Sequence, residues 1–92
     1  MTWRVAVAVP DGRTLEAETV DLGAFGAKVR LDERLRLGSP ARVRLFPPDG
    51  DELLLEAVVW RTDEEGPIFV FVGVGTETFS RLKSLVGELR GH

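Results

Sequence analysis

The chain has 92 residues, 43% of them hydrophobic and 29% charged, with a formal net charge of −3. That is one domain, 1–92, long enough to bury a modest core, and its supply of Val, Leu and Phe excludes a disordered chain. There is no cysteine, which excludes disulfides, thiolate metal sites and a cysteine nucleophile, and fits a reducing compartment.

Residues 3–9 put Trp3, Val5, Val7 and Val9 on one face and Arg4, Ala6 and Ala8 on the other, a strand pattern. Pro10-Asp11-Gly12 is a turn signal. Residues 14–21 predict a weaker strand, because Glu16 and Glu18 share a face with Val20. Residues 26–31 alternate Ala27, Val29 and Leu31 against Lys28 and Arg30. Gly38-Ser39-Pro40 breaks the chain before residues 41–46, where Ala41, Val43 and Leu45 alternate with Arg42 and Arg44. Pro47-Pro48-Asp49-Gly50 is a longer turn. Residues 52–62 form a long apolar-rich strand containing Trp60. After Glu64-Glu65-Gly66-Pro67, residues 67–75 set Ile68, Val70, Val72 and Val74 against Phe69, Phe71, Gly73 and Gly75.

The period then changes. Phe79, Leu82, Leu85, Val86 and Leu89 recur at three and four, a helix face. Thr76 or Thr78 can cap its start, Glu77 suits its first turn, Arg90 its last, and Gly91 can end it. Six short strands with turns between them, then one helix, predict a mainly β fold: a small six-stranded antiparallel barrel with a C-terminal α-helix over its open end or side. Closure also removes sheet edges, which invite aggregation.

Charge is unevenly spread. Lys28, Arg30, Arg34, Arg36, Arg42 and Arg44 face only Asp32 and Glu33 within residues 28–44, a window of +4 on a chain that is otherwise −7. Lys28, Arg30, Arg42 and Arg44 are therefore a candidate basic contact surface for phosphate or an acidic partner, against the plainer reading of solvated strand faces.

No residue set supports catalysis or a metal site. His92, the single histidine, is the last residue, and Ser39, Ser80 and Ser84 have no base to activate them. Asp63, Glu64 and Glu65 read as a solvated turn, and Asp49, Asp51 and Glu52 do not fit a calcium loop. Trp3, Trp60, Phe69 and Phe71 could stack a base, but small barrels bury such residues, so all four are assigned to the core.

The informative stretch is Val20-Asp21-Leu22-Gly23-Ala24-Phe25-Gly26-Ala27-Lys28-Val29, between the second and third strands. Asp21 can accept backbone N–H bonds and hold a bend. Gly23 and Gly26 permit positive φ and close approach of a ligand to the backbone. A glycine-rich connection with no further role is the alternative.

This stretch resembles the Asp/Asn-x-Ser-x-x-Gly motif of the PilZ family. Asp21, Gly23 and Gly26 fall on its spacing, with Gly23 where the family usually has Ser. Leu37-Gly38-Ser39-Pro40-Ala41-Arg42-Val43, Val58-Val59-Trp60-Arg61, Val72-Gly73-Val74 and the C-terminal helix follow in the family's order. The resemblance implies a cytoplasmic receptor for cyclic di-GMP, a ligand and not a cofactor, with Arg4, Asp21, Gly23 and Gly26 as ligand-binding residues. Arg4 matches the second arginine of the family's Arg-x-x-x-Arg motif, and the first would fall before Met1.

A missing arginine removes charge-assisted bonds worth roughly 1.5–3 kcal/mol each, and Gly for Ser removes a hydroxyl bond of about 1 kcal/mol. If additive, the losses weaken binding about 10²-fold. The expectation is a non-enzymatic signalling module with a weakened nucleotide site, monomeric or homodimeric, acting through a protein partner in motility, type IV pili or exopolysaccharide control. A small nucleic-acid-binding or structural adaptor barrel is the alternative, with nucleic acid disfavoured by the negative net charge. No run reaches the ~20 apolar residues that cross a bilayer, and Met1-Thr2-Trp3-Arg4-Val5 does not start a secretory leader. The expected address is the cytoplasm, without membrane insertion.

Overall fold

The computed structural model describes residues 2–48 and 50–89, with side chains through Leu85. The expectations for Asp49, Arg90, Gly91 and His92, and for the side chains of Val86 and Leu89, lie outside the described residues. Six strands precede one helix: β1 (Arg4–Ala8), β2 (Thr14–Leu22), β3 (Gly26–Arg30), β4 (Pro40–Phe46), β5 (Leu53–Thr62), β6 (Pro67–Gly73) and α1 (Thr76–Leu89). They form a closed antiparallel barrel in the order β1-β2-β3-β6-β5-β4, with β4 pairing back to β1.

Period-two patterning fills the interior. Val5 and Val7 of β1, Val29 of β3, Val43 and Leu45 of β4, Leu55 of β5 and Phe69 of β6 are all buried. Burying such a side chain contributes roughly 1.5–3 kcal/mol. The β2–β3 turn, the β4–β5 turn and α1 gather at one end. There Leu82 is fully buried in the barrel core, Phe25 of the β2–β3 turn packs against Phe79 with tilted rings and centroids 5.6 Å apart, and Arg81 donates to the Asp51 carbonyl at 2.7 Å. The β1–β2 turn, the long β3–β4 connection and the β5–β6 turn gather at the other end.

Three side-chain expectations change. Trp60 is not in the core but 59% exposed. Leu53, Leu55, Ala57 and Val59 hold the inward face of β5, so alternation turns Trp60 outward, where Arg61 lies over its ring at 5.4 Å. Trp3 and Phe69 are buried as expected, and Phe71 is half-buried against the core. The helix begins at Thr76, so Gly75 holds the N-cap position, its carbonyl accepting the Phe79 N–H at 2.8 Å, and neither Thr76 nor Thr78 occupies it.

Candidate functional site

The position of Asp21 depends on an irregularity in β2. Leu15, Ala17 and Thr19 face inward, and Thr19 is buried with its Oγ1 accepting the Trp3 N–H at 2.9 Å. Strict alternation would send Asp21 inward as well. The β2–β3 register instead shifts between Thr19 and Asp21, pairing Thr19 with Val29 but Asp21 with Lys28. The extra residue, Val20, reverses the faces: Asp21 points out and Leu22 is buried. A bulge redirects side chains in this way, and it keeps a carboxylate out of the core, where it would lose its hydration.

Asp21, Gly23, Gly26, Ala27, Lys28 and Ile68 line one shallow depression of about 140 Å³ on the outer wall. Three of the sequence-predicted ligand residues thus converge. Ile68 of β6, opposite Lys28 in the ladder, supplies an apolar wall. It was not foreseen, because cross-strand register carries no local sequence signal.

The glycines act differently from expectation. Neither Gly23 nor Gly26 has positive φ. Gly26 pairs with Val70 of β6, and a Cβ there would overlap the Phe69 carbonyl oxygen. Its lack of a side chain serves close β3–β6 contact. Gly23 donates its N–H to the Gly26 carbonyl at 2.9 Å, and a Cβ on it would have its nearest neighbour at 3.9 Å. The Gly23 position therefore has room for a side chain, and the Gly26 position has none.

The acidic turn Asp63–Gly66 is not simply solvated. It folds onto the end of β3, with the Leu31 N–H on the Glu65 carbonyl at 3.4 Å. Gly66 has φ of 149°, and a side chain there would strike the Val29 carbonyl. Asp63 accepts the backbone N–H groups of Glu65 and Gly66 on Oδ1, at 2.9 and 3.3 Å, leaving Oδ2 for Lys28 Nζ at 2.7 Å. Glu65 adds a second carboxylate to Lys28 at 3.1 Å and approaches Arg30 at 3.8 Å. The Asp63 and Glu65 bonds hold the Lys28 ammonium protonated above its ordinary range. Lys28, followed by the two backbone N–H donors, holds the Asp63 carboxyl below its ordinary range.

Arg4 projects outward from β1, 3.7 Å from Glu16 and 5.7 Å over the Phe46 ring. The ladder aligns Arg4 with Glu18 and Glu18 with Arg30, so these three make an outward row beside the Asp21–Lys28 row. Arg4 shares the outer face of β1–β2–β3 with the depression but does not line it.

The basic segment does not form one surface. Lys28 and Arg30 sit on β3, whereas Arg42 and Arg44 sit on β4, three strands away in either direction around the ring. Arg42 faces Glu56 at 3.9 Å, and Arg44 is paired with Glu52 at 2.7 Å. The sequence places these cations close in number, but the barrel sends them to opposite walls and gives each a carboxylate.

The family model described as PilZ domain matches residues 3–88. The chain belongs to the PilZ domain family. Among solved structures, the PilZ domain of CeSA from a cellulose-synthesizing bacterium is 29% identical, with a TM-score of 0.77 over 98% of this chain and 94% of that chain. The Bacillus subtilis inhibitor of motility (MotI/DgrA) is 17% identical, with a TM-score of 0.79, covering 100% of this chain and 49% of that one. This PilZ domain therefore spans about half the length of the second relative, and that likeness speaks to fold. No curated protein matches the sequence. PilZ domains are binding and signalling modules, and the family takes cyclic di-GMP as a ligand.

Proposed function

We propose that this PilZ domain binds cyclic di-GMP weakly on the outer face of β1–β2–β3 and passes the signal on through protein contacts. One observation carries the reading: Asp21, Gly23, Gly26 and Lys28 converge on a single outward depression in a chain of this family. In this reading Asp21 accepts from a guanine edge or orients the turn, and Gly23 offers the ligand only its backbone. Arg4 grips phosphate or guanine from the neighbouring row, as the planar fork of a guanidinium suits.

Two features support weakened affinity. Gly23 lacks the hydroxyl usual at that motif position, worth about 1 kcal/mol. Lys28 is already held by Asp63 and Glu65, and Arg30 lies near Glu65, so neither cation meets phosphate without competition from the acidic turn. The nucleic-acid alternative loses support because the basic residues are divided between opposite walls. The module acts without catalysis, in the cytoplasm, as a monomer or homodimer, in control of motility, type IV pili or exopolysaccharide. The likeness to a domain from a cellulose-synthesizing bacterium favours the last.

Isothermal titration of cyclic di-GMP into the chain tests the reading. Weak saturable heat, lost in Asp21→Ala and reduced in Arg4→Ala, is expected. Absence of heat at high micromolar ligand would remove the nucleotide half of the proposal.

A further inference from the structure

At the end of the barrel away from α1, the β1–β2 turn and the β3–β4 connection enclose a cleft of about 290 Å³. Val9, Leu35, Ala41 and Val59 give it an apolar lining. Three arginines stand around it: Arg13, Arg34 and Arg36. Arg13 is already satisfied, holding Asp11 at 2.8 Å and Glu33 at 2.5 Å. Arg34 and Arg36 are exposed and have no carboxylate partner among the described residues. Leu37, next in the chain, is 63% exposed.

The segment carrying Arg34, Arg36 and Leu37 is fixed before anything binds. Gly38 donates its N–H to the Val59 carbonyl at 2.7 Å, Val59 donates to the Ser39 carbonyl at 3.0 Å, and Ser39 donates to the Arg36 carbonyl at 3.1 Å. Leu35 packs against the core. Two guanidiniums without a carboxylate partner among the described residues and an exposed leucine are thus displayed on an ordered loop, which lowers the ordering cost of binding.

We propose that this cleft docks a short acidic segment of a protein partner, with one apolar side chain inserted between the two turns and neighbouring carboxylates on Arg34 and Arg36. The volume lies just under the roughly 300–1,000 Å³ of small-molecule sites and suits an anchoring side chain. A lone phosphate on the arginines would leave Val9, Leu35, Ala41 and Val59 uncovered, whereas a segment with an apolar side chain fills them. Arg34 also borders an adjoining cleft lined by Asp32, Glu33, Asp63 and Glu64. A long polyanion or an anionic bilayer lying across Arg34 and Arg36 would meet those carboxylates, whereas a short acidic segment stops before them. The site lies at the opposite end of the barrel from the β2–β3 turn and shares no lining residue with the Asp21 depression, so docking there is measured without nucleotide.

Amide-resolved NMR titration of the full chain tests this. The probes are capped pentapeptides with one Leu or Phe flanked by Asp and Glu, the same peptides with Ala at the centre, anionic phosphatidylglycerol vesicles, and a single-stranded oligonucleotide. Saturable shifts at residues 11–13 and 34–41 with the Leu or Phe peptides are expected. Binding should weaken several-fold with the Ala peptides and about three- to tenfold for each of Arg34→Glu and Arg36→Glu, with the remaining amides unmoved as evidence of an intact fold. No shift in that region at millimolar peptide overturns the proposal. So does equal response to the Ala peptides, or a stronger response there to vesicles or oligonucleotide.

Discussion

Gly23→Ser and Gly26→Ala are the smallest changes available within the Asp21–Gly26 turn, and they act on different quantities. At Gly26 a Cβ lies far inside the 3.0 Å limit from the Phe69 carbonyl oxygen, a backbone atom that cannot rotate away. Relief requires β3 and β6 to separate where Gly26 pairs with Val70. Overpacking of this kind costs typically 1–3 kcal/mol, and in a domain of this size each kcal/mol lowers the melting temperature by roughly 4–8 °C. At Gly23 the nearest atom to a new Cβ is 3.9 Å away and φ is not positive, so Ser enters without strain. It supplies one hydroxyl hydrogen bond to the ligand, about 1 kcal/mol or roughly fivefold in affinity. Thermal melts and cyclic di-GMP titrations of both variants measure the two effects. A Gly26→Ala protein that melts with the parent, or a Gly23→Ser protein that melts well below it, would refute the steric reasoning. An unchanged affinity in Gly23→Ser would refute the assignment of that position to the ligand.

Other expected outcomes follow from the same geometry. Thr19→Val leaves the buried Trp3 N–H without its 2.9 Å acceptor and should cost about 1–3 kcal/mol in urea unfolding; a neutral result contradicts the role given to Thr19. Trp3→Ala should cost about 3–5 kcal/mol, whereas Trp60→Ala should stay within about 1 kcal/mol. In acrylamide quenching, Trp3→Phe should leave a strongly quenched tryptophan and Trp60→Phe a protected one. Asp63 should hold its charge below the ordinary aspartate value of about 3.9. Its contribution to stability is then complete above that value and lost as pH falls through its lowered folded pKa. The Lys28 contribution is complete below the ordinary lysine value of about 10.4 and lost as pH rises through its raised one. Carboxyl-detected NMR titration gives the Asp63 value directly, and an ordinary midpoint would contradict the Lys28 contact.

The fold was readable wherever a local period controlled burial. The Val5/Val7, Val43/Leu45 and Leu53/Leu55 alternations are the inward faces of three strands, and the three-and-four spacing around Leu82 is the helix that closes one end. The sequence misled where the period breaks or long-range register decides. Nothing local marks Val20 as a bulge, so the outward turn of Asp21 is visible only once β2 pairs with β3. Trp60 reads as core by composition but stands on the even face of β5. Lys28, Arg30, Arg42 and Arg44 are close in number, yet ring order places β3 and β4 apart. The Asp63–Lys28 contact joins residues 35 positions apart through the β5–β6 turn, a relation no spacing rule reports.

The most direct measurement is an NMR titration of the labelled chain with cyclic di-GMP, read residue by residue. Weak, saturable binding is expected, with shifts at Asp21–Lys28, at Arg4 and in the Asp63–Gly66 turn that competes for Lys28. Shifts confined to the β4–β5 wall around Arg42 and Arg44, or no saturable shift at millimolar ligand, would contradict it.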